Sequence, residues 1–452
     1  MAAALLDLLA ARAEAGRPVR VGLIGAGKFG TMFLAQARRI PGLHVLAVAD
    51  RSPDRARAAL ARAGWPEAQY AARDPAAALA RGATWVTDDA AALIAADGLE
   101  VVVEATGAPA AGIRHALAAI ERGRHVVMVT VEADVLVGPL LAARARAAGV
   151  VYTLAYGDQP ALICELVEWA RACGFAVVCA GKGTKYLPAY HASTPDTVWQ
   201  HYGFTPEQVA TGDYNPRMYN SFLDGTKSAI EMAAVANATG LVPQSEGLRF
   251  PPCGVDDLAT VLRPQEDGGW LSHRGTVEVV SSLERDGRPV PRDLRWGVYV
   301  VVEAADAYVR RCFAEYGLQT DTTGRYAALY RPYHLVGLEL SVSVLRAALR
   351  GEPTGTPTAF LADVAATAKR DLAAGELLDG EGGSTVYGTL LPAAEALRQE
   401  TLPIGLAHGV RLTRAVPAGR PVRWADVEVD TADPVVRLRR EMESQAAVRP
   451  SA

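Results

Sequence analysis

Short apolar runs alternate with longer stretches of helical period through the first third of the chain. The runs at 19–24, 44–49, 101–105, 125–130 and 150–155 are short and valine-rich, so they predict strands buried on both faces. Between them, 29–40, 53–63, 76–81, 89–95, 110–122 and 138–148 repeat apolar positions every three or four residues and predict helices. Such alternation predicts parallel strands with crossover helices, hence an α/β fold built on a doubly wound sheet. Met1 to Glu14 reads as a packing helix, because it has neither the basic leader nor the apolar core of a signal peptide.

The rhythm changes at Gly157-Asp158-Gln159-Pro160, where proline suits a first helical turn. An apolar strand is expected at 175–180, then a loop, Gly181 to Tyr186, and a polar stretch to about 215. A helix is expected over 224–238. Strands at 273–283 and 296–305 read as antiparallel partners around the turn signal Asp286-Gly287. Another strand is expected from Tyr330 to Gly337, and a helix from Leu338 to Arg350. Gly351 to Pro357 is a linker. Beyond it, Ala368 to Glu376 resembles Arg411 to Arg420, each a short strand, an Ala-Gly turn and more apolar residues. These halves predict a small β-rich unit, with a charged tail after Asp433. The expected division is 1–158 for a Rossmann-type domain, 159–360 for an α+β catalytic or substrate domain, and 361–452 for the β-rich domain.

The glycines after the first strand turn this architecture toward function. Gly25, Gly27 and Gly30 fit G-x-G-x-x-G between a strand and a helix. The first permits a tight turn, the second lets backbone approach a pyrophosphate, and the third lets helix pack on strand. Lys28 and Phe29 begin the helix whose amides face a dianion. Asp50, about twenty residues on at the end of the second strand, stands where an acidic residue bonds a ribose hydroxyl. A nicotinamide dinucleotide is therefore the expected cofactor. Arg51, with Ser52 and Arg55 nearby, suits a 2′-phosphate, so NAD and NADP both stay open. Val103-Glu104-Ala105-Thr106-Gly107 is a strand end at the sheet's carboxyl edge, which adds Thr106 and Gly107 to the cofactor set. Val126 to Glu132 reads as another.

Net charge is −4, which gives no reason to expect nucleic acid or an anionic membrane as partner. Five cysteines without a C-x-x-C pair argue against a disulfide framework or structural zinc. No run approaches the roughly twenty apolar residues of a bilayer span. A cytoplasmic enzyme of two or three domains acting on a small molecule is the expectation, with a homo-oligomer as the general prior.

Candidate chemistry centres on Asp224 to Gly240. Asp224 is a natural N-cap and Gly240 a natural stop, with a mostly apolar helix between them. Lys227 and Glu231 share a face, and Asp224 lies one turn before Lys227. A buried lysine beside two carboxylates suits proton donation to an alkoxide, or the holding of a carbonyl for hydride attack; a structural ion pair is the plainer alternative. Lys182 and Lys185 read either as anchors for an acidic or phosphorylated substrate or as solvated loop lysines. Glu132 is a candidate for ordering ribose, binding substrate hydroxyls or holding a cation, or else a helix-start carboxylate. His334 is a candidate acid–base group or a structural histidine. A divalent metal is compatible with the carboxylates, but no spacing demands one, and its ligands are unknown.

These motifs resemble known families. The N-terminal half is similar to the NAD-binding domain of homoserine dehydrogenases through Val103-Glu104-Ala105-Thr106-Gly107, and Asp224/Lys227 is similar in kind to their catalytic aspartate and lysine. Where those enzymes carry Thr-Ala-Asn-Lys-Ala, this chain has Thr130-Val131-Glu132-Ala133-Asp134. The whole chain more closely resembles the 1-deoxy-D-xylulose 5-phosphate reductoisomerase-like family through Val131 to Asp134, Asp224-Gly225-Thr226-Lys227 and Leu402-Pro403-Ile404-Gly405-Leu406. That resemblance implies a homoserine-dehydrogenase-like cofactor domain, a distinct catalytic domain and a C-terminal SAF (antifreeze-like) domain. It also implies NADPH-dependent rearrangement and reduction of 1-deoxy-D-xylulose 5-phosphate for isoprenoid biosynthesis, commonly with a divalent metal. In that scheme Lys182 or Lys185 holds the phosphate, Lys227 polarises the carbonyl, and Asp224 and Glu231 orient Lys227. The other readings are a homoserine-, polyol- or sugar-acid-type dehydrogenase of specialised metabolism, and a non-catalytic cofactor-binding or scaffold protein.

Overall fold

The computed structural model describes residues 4–212 and 214–448, which fall into two compact units. The first comprises residues up to 162 together with 334–358. Its sheet contains β1 (Val19–Ile24), β2 (Leu43–Ala49), β3 (Trp85–Thr87), β4 (Val101–Glu104), β5 (His125–Met128) and β6 (Tyr152–Leu154). The spatial order is β3-β2-β1-β4-β5-β6, and every pairing is parallel. Strand order reverses beside β1, so the crevice at the carboxyl ends of β1 and β4 is where a doubly wound sheet takes its ligand. Val21, Val101, Val103 and Val127 are wholly buried, as expected for strands covered on both faces.

Three expectations for this unit change. The three-residue β3 escapes a pattern search because it is so short. The helix expected from 138 spans Val131–Ala147 instead, with Pro139 inside it. Proline signals a helix start, and here it misplaces that start; Glu132 therefore lies in a first helical turn, not on a strand. The helix Ser341–Arg350 belongs to this unit and not to the middle domain, because Leu340, Val344 and Leu345 join the core of Leu9, Val21 and Phe33.

The second unit comprises 163–333 and the residues from 359 onward. Its main sheet contains β7 (Ala176–Thr184), β8 (Thr276–Ser281), β9 (Val298–Glu303) and β10 (Tyr326–Arg331), in the order β10-β9-β7-β8. β7 runs parallel to β8 and antiparallel to β9. The turn at Asp286-Gly287 forms, yet β8 and β9 do not pair, because β7 lies between them. The segment Gly181 to Thr184 continues β7 and is no loop. Its glycines mark close packing: a Cβ on Gly181 would meet the Glu278 carbonyl oxygen at 1.8 Å, and one on Gly183 the Leu294 carbonyl oxygen at 2.1 Å. β10 stops at Arg331, and residues 332–337 form a turn-rich connection in place of the expected strand.

The C-terminal part adds β11 (Ala362–Ala368), β12 (Leu377–Asp379), β13 (Val386–Pro392), β14 (His408–Leu412) and β15 (Val427–Glu428). β11 pairs with β13, and β14 lies between β12 and β15. The two sequence repeats bond to each other: Leu372 and Val416 exchange amide bonds of 2.9 and 3.0 Å. Beyond Asp433 the chain is not a loose tail. It forms the helix Pro434–Val448, and its Arg439 is about 1% exposed, paired with Asp363 and Glu443. Residues 447–452 lie wholly or partly outside the described side chains. Among the described residues, no helix is long and apolar enough to cross a membrane.

Candidate functional site

In the first unit the glycine turn has the form that a dinucleotide requires. Gly25 has φ +103°, and a Cβ there would stand 2.4 Å from the Ala105 carbonyl oxygen. Gly30 packs against the Gly25 carbonyl oxygen just as closely, at 2.4 Å. Gly27 caps the helix Lys28–Ala37, and a Cβ added there would meet nothing within 4 Å. The open ground over Gly27, at a ten-residue helix N-terminus, fits a pyrophosphate. Lys28 and Phe29 lie in the first helical turn. Thr106 donates its hydroxyl to Glu104 Oε1 at 2.5 Å, and the Gly107 amide donates to Thr130 Oγ1 at 3.0 Å.

Asp50 sits at the end of β2, buried to 5% exposure. Its Oδ2 accepts from the Ala26 amide at 2.9 Å and its Oδ1 from the Ser52 amide at 3.0 Å. Arg55 adds bonds to both oxygens at 2.7 and 3.0 Å. Burial pushes this carboxyl up, and the two amides with Arg55 more than reverse it, leaving it below its ordinary value. Arg51 and the outer part of Arg55 remain exposed.

In the second unit the helix Thr226–Thr239 packs against β7, β8, β11 and β13, which explains why nearly all its faces are apolar. Its start differs from expectation in one detail. Asp224 ends the preceding helix Pro216–Leu223, and Gly225, at φ +87°, is the N-cap; Asp224 Oδ1 still accepts from the Thr226 amide at 2.9 Å. Gly240 stops the helix as expected, at φ +78°.

Three lysines and two carboxylates meet at this helix. Lys182 comes from β7 and is ion-paired with Glu231, both side chains almost fully buried. Lys369, at the end of β11, reaches Asp224 Oδ2 at 2.7 Å and is equally buried. Lys227, on the first turn of the helix, is half-buried. The expectation of a loop position for Lys182 is thereby corrected, as is the alternative of a solvated lysine: it is an interior strand lysine matched to a helix carboxylate. Burial raises Asp224 above its ordinary value, against the pull of Lys369 and of the Thr226 bonds.

Lys185, at the strand's end, is half-buried and donates to the His201 carbonyl, with the Tyr202 ring 5.4 Å from its ammonium. Arg295 stacks over Tyr202 at 5.9 Å and over the exposed Trp296 at 4.8 Å. Burial lowers Lys185, and the Arg295 charge lowers it further; His201 is lowered by burial and by Lys185. Two cations therefore stand together over aromatic rings. Burial pushes the Tyr202 hydroxyl up to about 12, against the Arg295 charge.

Sequence reasoning missed Lys369, Arg295, His191 and Tyr186. Lys369 lies 145 positions from Asp224, and no spacing rule spans that distance. Glu132 is half-buried in its helical turn, and His334 lies in the connection after β10. Among the described residues, no group of three or more His, Cys, Asp or Glu side chains is arranged to hold a metal.

Comparison with known proteins agrees with this anatomy. Residues 19–129 match the NAD-binding Rossmann domain of the GFO_IDH_MocA oxidoreductase family, 157–340 match the catalytic domain of the oxidoreductase DRL, and 363–428 match the SAF domain. The chain has the DRL-like oxidoreductase architecture. The chain thus joins an NAD-binding Rossmann domain of oxidoreductase type, a match to the DRL catalytic domain and a SAF domain. No curated protein matches it. Among solved structures, a homoserine dehydrogenase from Thiobacillus denitrificans is 17% identical over 73% of each chain, with a TM-score of 0.44. A probable dehydrogenase from Thermotoga maritima is 15% identical over 74% of this chain and 90% of its own, with a TM-score of 0.38. The myo-inositol dehydrogenase of Lactobacillus casei, solved with NAD(H) and myo-inositol, is 16% identical over 40% of this chain, with a TM-score of 0.28. The match spans half of that enzyme's length.

Proposed function

We propose that this DRL-like oxidoreductase reduces a small hydroxylated carbonyl compound that carries a phosphate or carboxylate, with NADP(H) as its cofactor. Reductoisomerase action of the 1-deoxy-D-xylulose 5-phosphate type is the specific reading. The carrying observation is the charge gathered at one helix start: Lys182 with Glu231 and Lys369 with Asp224 are buried ion pairs, and Lys227, half-buried, stands between those two carboxylates along the chain. Charge buried at this density is costly unless it serves a reaction.

When bound, the nicotinamide supplies the hydride. Lys227 donates a hydrogen bond to the substrate carbonyl oxygen and gives up a proton as that oxygen becomes an alkoxide. Asp224 and Glu231 fix the helix start that carries it. Lys185 and Arg295 hold the anionic end, since two neighbouring cations repel until an anion arrives between them. Preference for NADP(H) follows from Asp50. Its oxygens already accept the Ala26 and Ser52 amides and Arg55, so the carboxylate is spent on the turn, while Arg55 and Arg51 offer positive charge to a 2′-phosphate. Glu132 and His334 are assigned to substrate hydroxyls and proton exchange in the same reading.

The test is cofactor oxidation with 1-deoxy-D-xylulose 5-phosphate, run beside a panel of sugar-acid and polyol substrates in the opposite direction. Lys227→Ala is expected to lower turnover about 100- to 10,000-fold, the range of a lost proton donor, while NADPH affinity stays within about twofold. Wild-type turnover in a folded Lys227→Ala protein would remove the assignment.

A further inference from the structure

We propose that the SAF segment is part of the site itself: Lys369 and Tyr387 are positioning residues, the first holding Asp224 and the second holding His191. The proposal rests on the reading of Lys227 and its helix start as the reacting end of the molecule.

Lys369 spends every donor it has. Its ammonium bonds the Ser193 carbonyl at 2.6 Å, Asp224 Oδ2 at 2.7 Å and the Gly383 carbonyl at 2.8 Å. Three donors meet three acceptors, so the group is satisfied in only one geometry. The acceptors belong to three separate segments: the turn after the short helix Pro188–Ala192, the Asp224 junction, and the loop before β13. A buried ammonium of this kind pins all three together.

The neighbouring contacts continue from the SAF segment into the catalytic domain. Asn220 Nδ2 donates to the Gly382 and Gly383 carbonyls at 3.1 and 3.2 Å, and Ser221 Oγ donates to Glu381 Oε1 at 2.5 Å. The Gly388 amide donates to Thr226 Oγ1 at 2.8 Å, and a Cβ on Gly388 would meet Thr226 Cγ2 at 2.9 Å. The helix before the Asp224-Gly225 junction is thus bonded to the SAF loop at Glu381 to Gly383, and Thr226 after the junction is bonded to β13. A tethered accessory module would have no reason to fit there so closely.

His191 links this frame to a proton. Its Nδ1 lies 2.7 Å from the Asp224 carbonyl oxygen, which can only accept, so Nδ1 carries the hydrogen. Its Nε2 is then bare and accepts from the Tyr186 hydroxyl at 2.8 Å. The Tyr387 ring stacks on the imidazole with centroids 4.3 Å apart. Lys369 sets the Asp224 side chain, the Asp224 backbone sets the tautomer of His191, and His191 in turn receives Tyr186. The groups facing the imidazole are Asp224, Lys369, Tyr186 and Tyr387. Burial holds it below its ordinary value, the Asp224 carbonyl bond opposes this, and the Lys369 charge adds to the lowering. His191 is therefore kept neutral, with its Nε2 lone pair aimed at a hydroxyl.

The experiment uses the full chain with nitrogen-labelled histidine, and His191 is assigned from the spectrum of His191→Gln. Wild type should show the Nδ1–H tautomer and no titration near pH 6.5. Lys369→Met removes the cation, so its His191 titration should move upward from the wild-type position, with loss of the single tautomer. Tyr387→Leu should keep the charge yet broaden or mix the tautomers. On a turnover substrate from the Lys227 assay, Lys369→Met should cut kcat at least about tenfold with KM little changed. If Lys369→Met does not fold, Tyr387→Leu carries the decision on the same signals. Folded variants whose His191 tautomer and titration match wild type would overturn the proposal. A shifted His191 alongside full activity in Lys227→Ala would retain the positioning and discard the reading of Lys227 instead.

Discussion

Asp134 offers a quantitative test of how the Rossmann unit is built. Its carboxyl is fully buried in the first turn of the helix Val131–Ala147. Oδ1 accepts from the Tyr152 hydroxyl at 3.0 Å, and Oδ2 has no hydrogen-bond partner among the described residues. A Cβ on Gly138, one turn on, would come within 2.6 Å of Oδ1, so glycine makes the room. Burial raises this carboxyl from 3.8 to about 7, against the bond from Tyr152. The folded state therefore holds a proton that the unfolded chain releases above pH 3.8. With an acid raised on folding, stability is full below that value and falls as pH rises toward 7. At about 1.4 kcal/mol for each pH unit of the window, the loss approaches about 4 kcal/mol by pH 7, an upper bound.

Asp134→Asn keeps the Tyr152 acceptor and removes the titration. Urea unfolding of both proteins at pH 5, 6, 7 and 8 should show the variant gaining on wild type by about 1 kcal/mol per pH unit up to pH 7, then levelling. Glu278, buried in the second unit and pushed up to about 7, has the same sign in both proteins and cancels in the difference. Parallel stability curves at every pH would refute the argument, since they would mean that folding leaves the Asp134 proton untouched.

Two other outcomes follow from the same contacts. Arg55→Leu should weaken NADPH binding about tenfold or more, with NADH changed far less, in fluorescence titrations; equal losses for both would withdraw the 2′-phosphate assignment. Lys182→Met should destabilise by roughly 3–5 kcal/mol because it leaves Glu231 charged and buried, whereas the double variant Lys182→Met/Glu231→Leu should recover most of that in denaturant midpoints.

The sequence by itself determined the Rossmann unit and its glycine turn. Strand periodicity, three glycines at fixed offsets and an acid at the end of β2 are local facts, and each acts through its own backbone neighbours. It also marked the helix that carries Lys227 and the two C-terminal repeats of a small β-rich unit; that the repeats bond to each other is a finding of the structure. Only tertiary structure decided which charges meet. Lys182 looked like a loop lysine because glycines flank it, yet those glycines serve close strand packing, and the lysine turns inward to Glu231. Asp224 lies one turn from Lys227 in sequence, and packing also brings it Lys369, which follows β11 in the SAF segment. Local pattern encodes burial and turn geometry, whereas an ion pair inside a folded chain is chosen by which surfaces the packing of helix and sheet brings together.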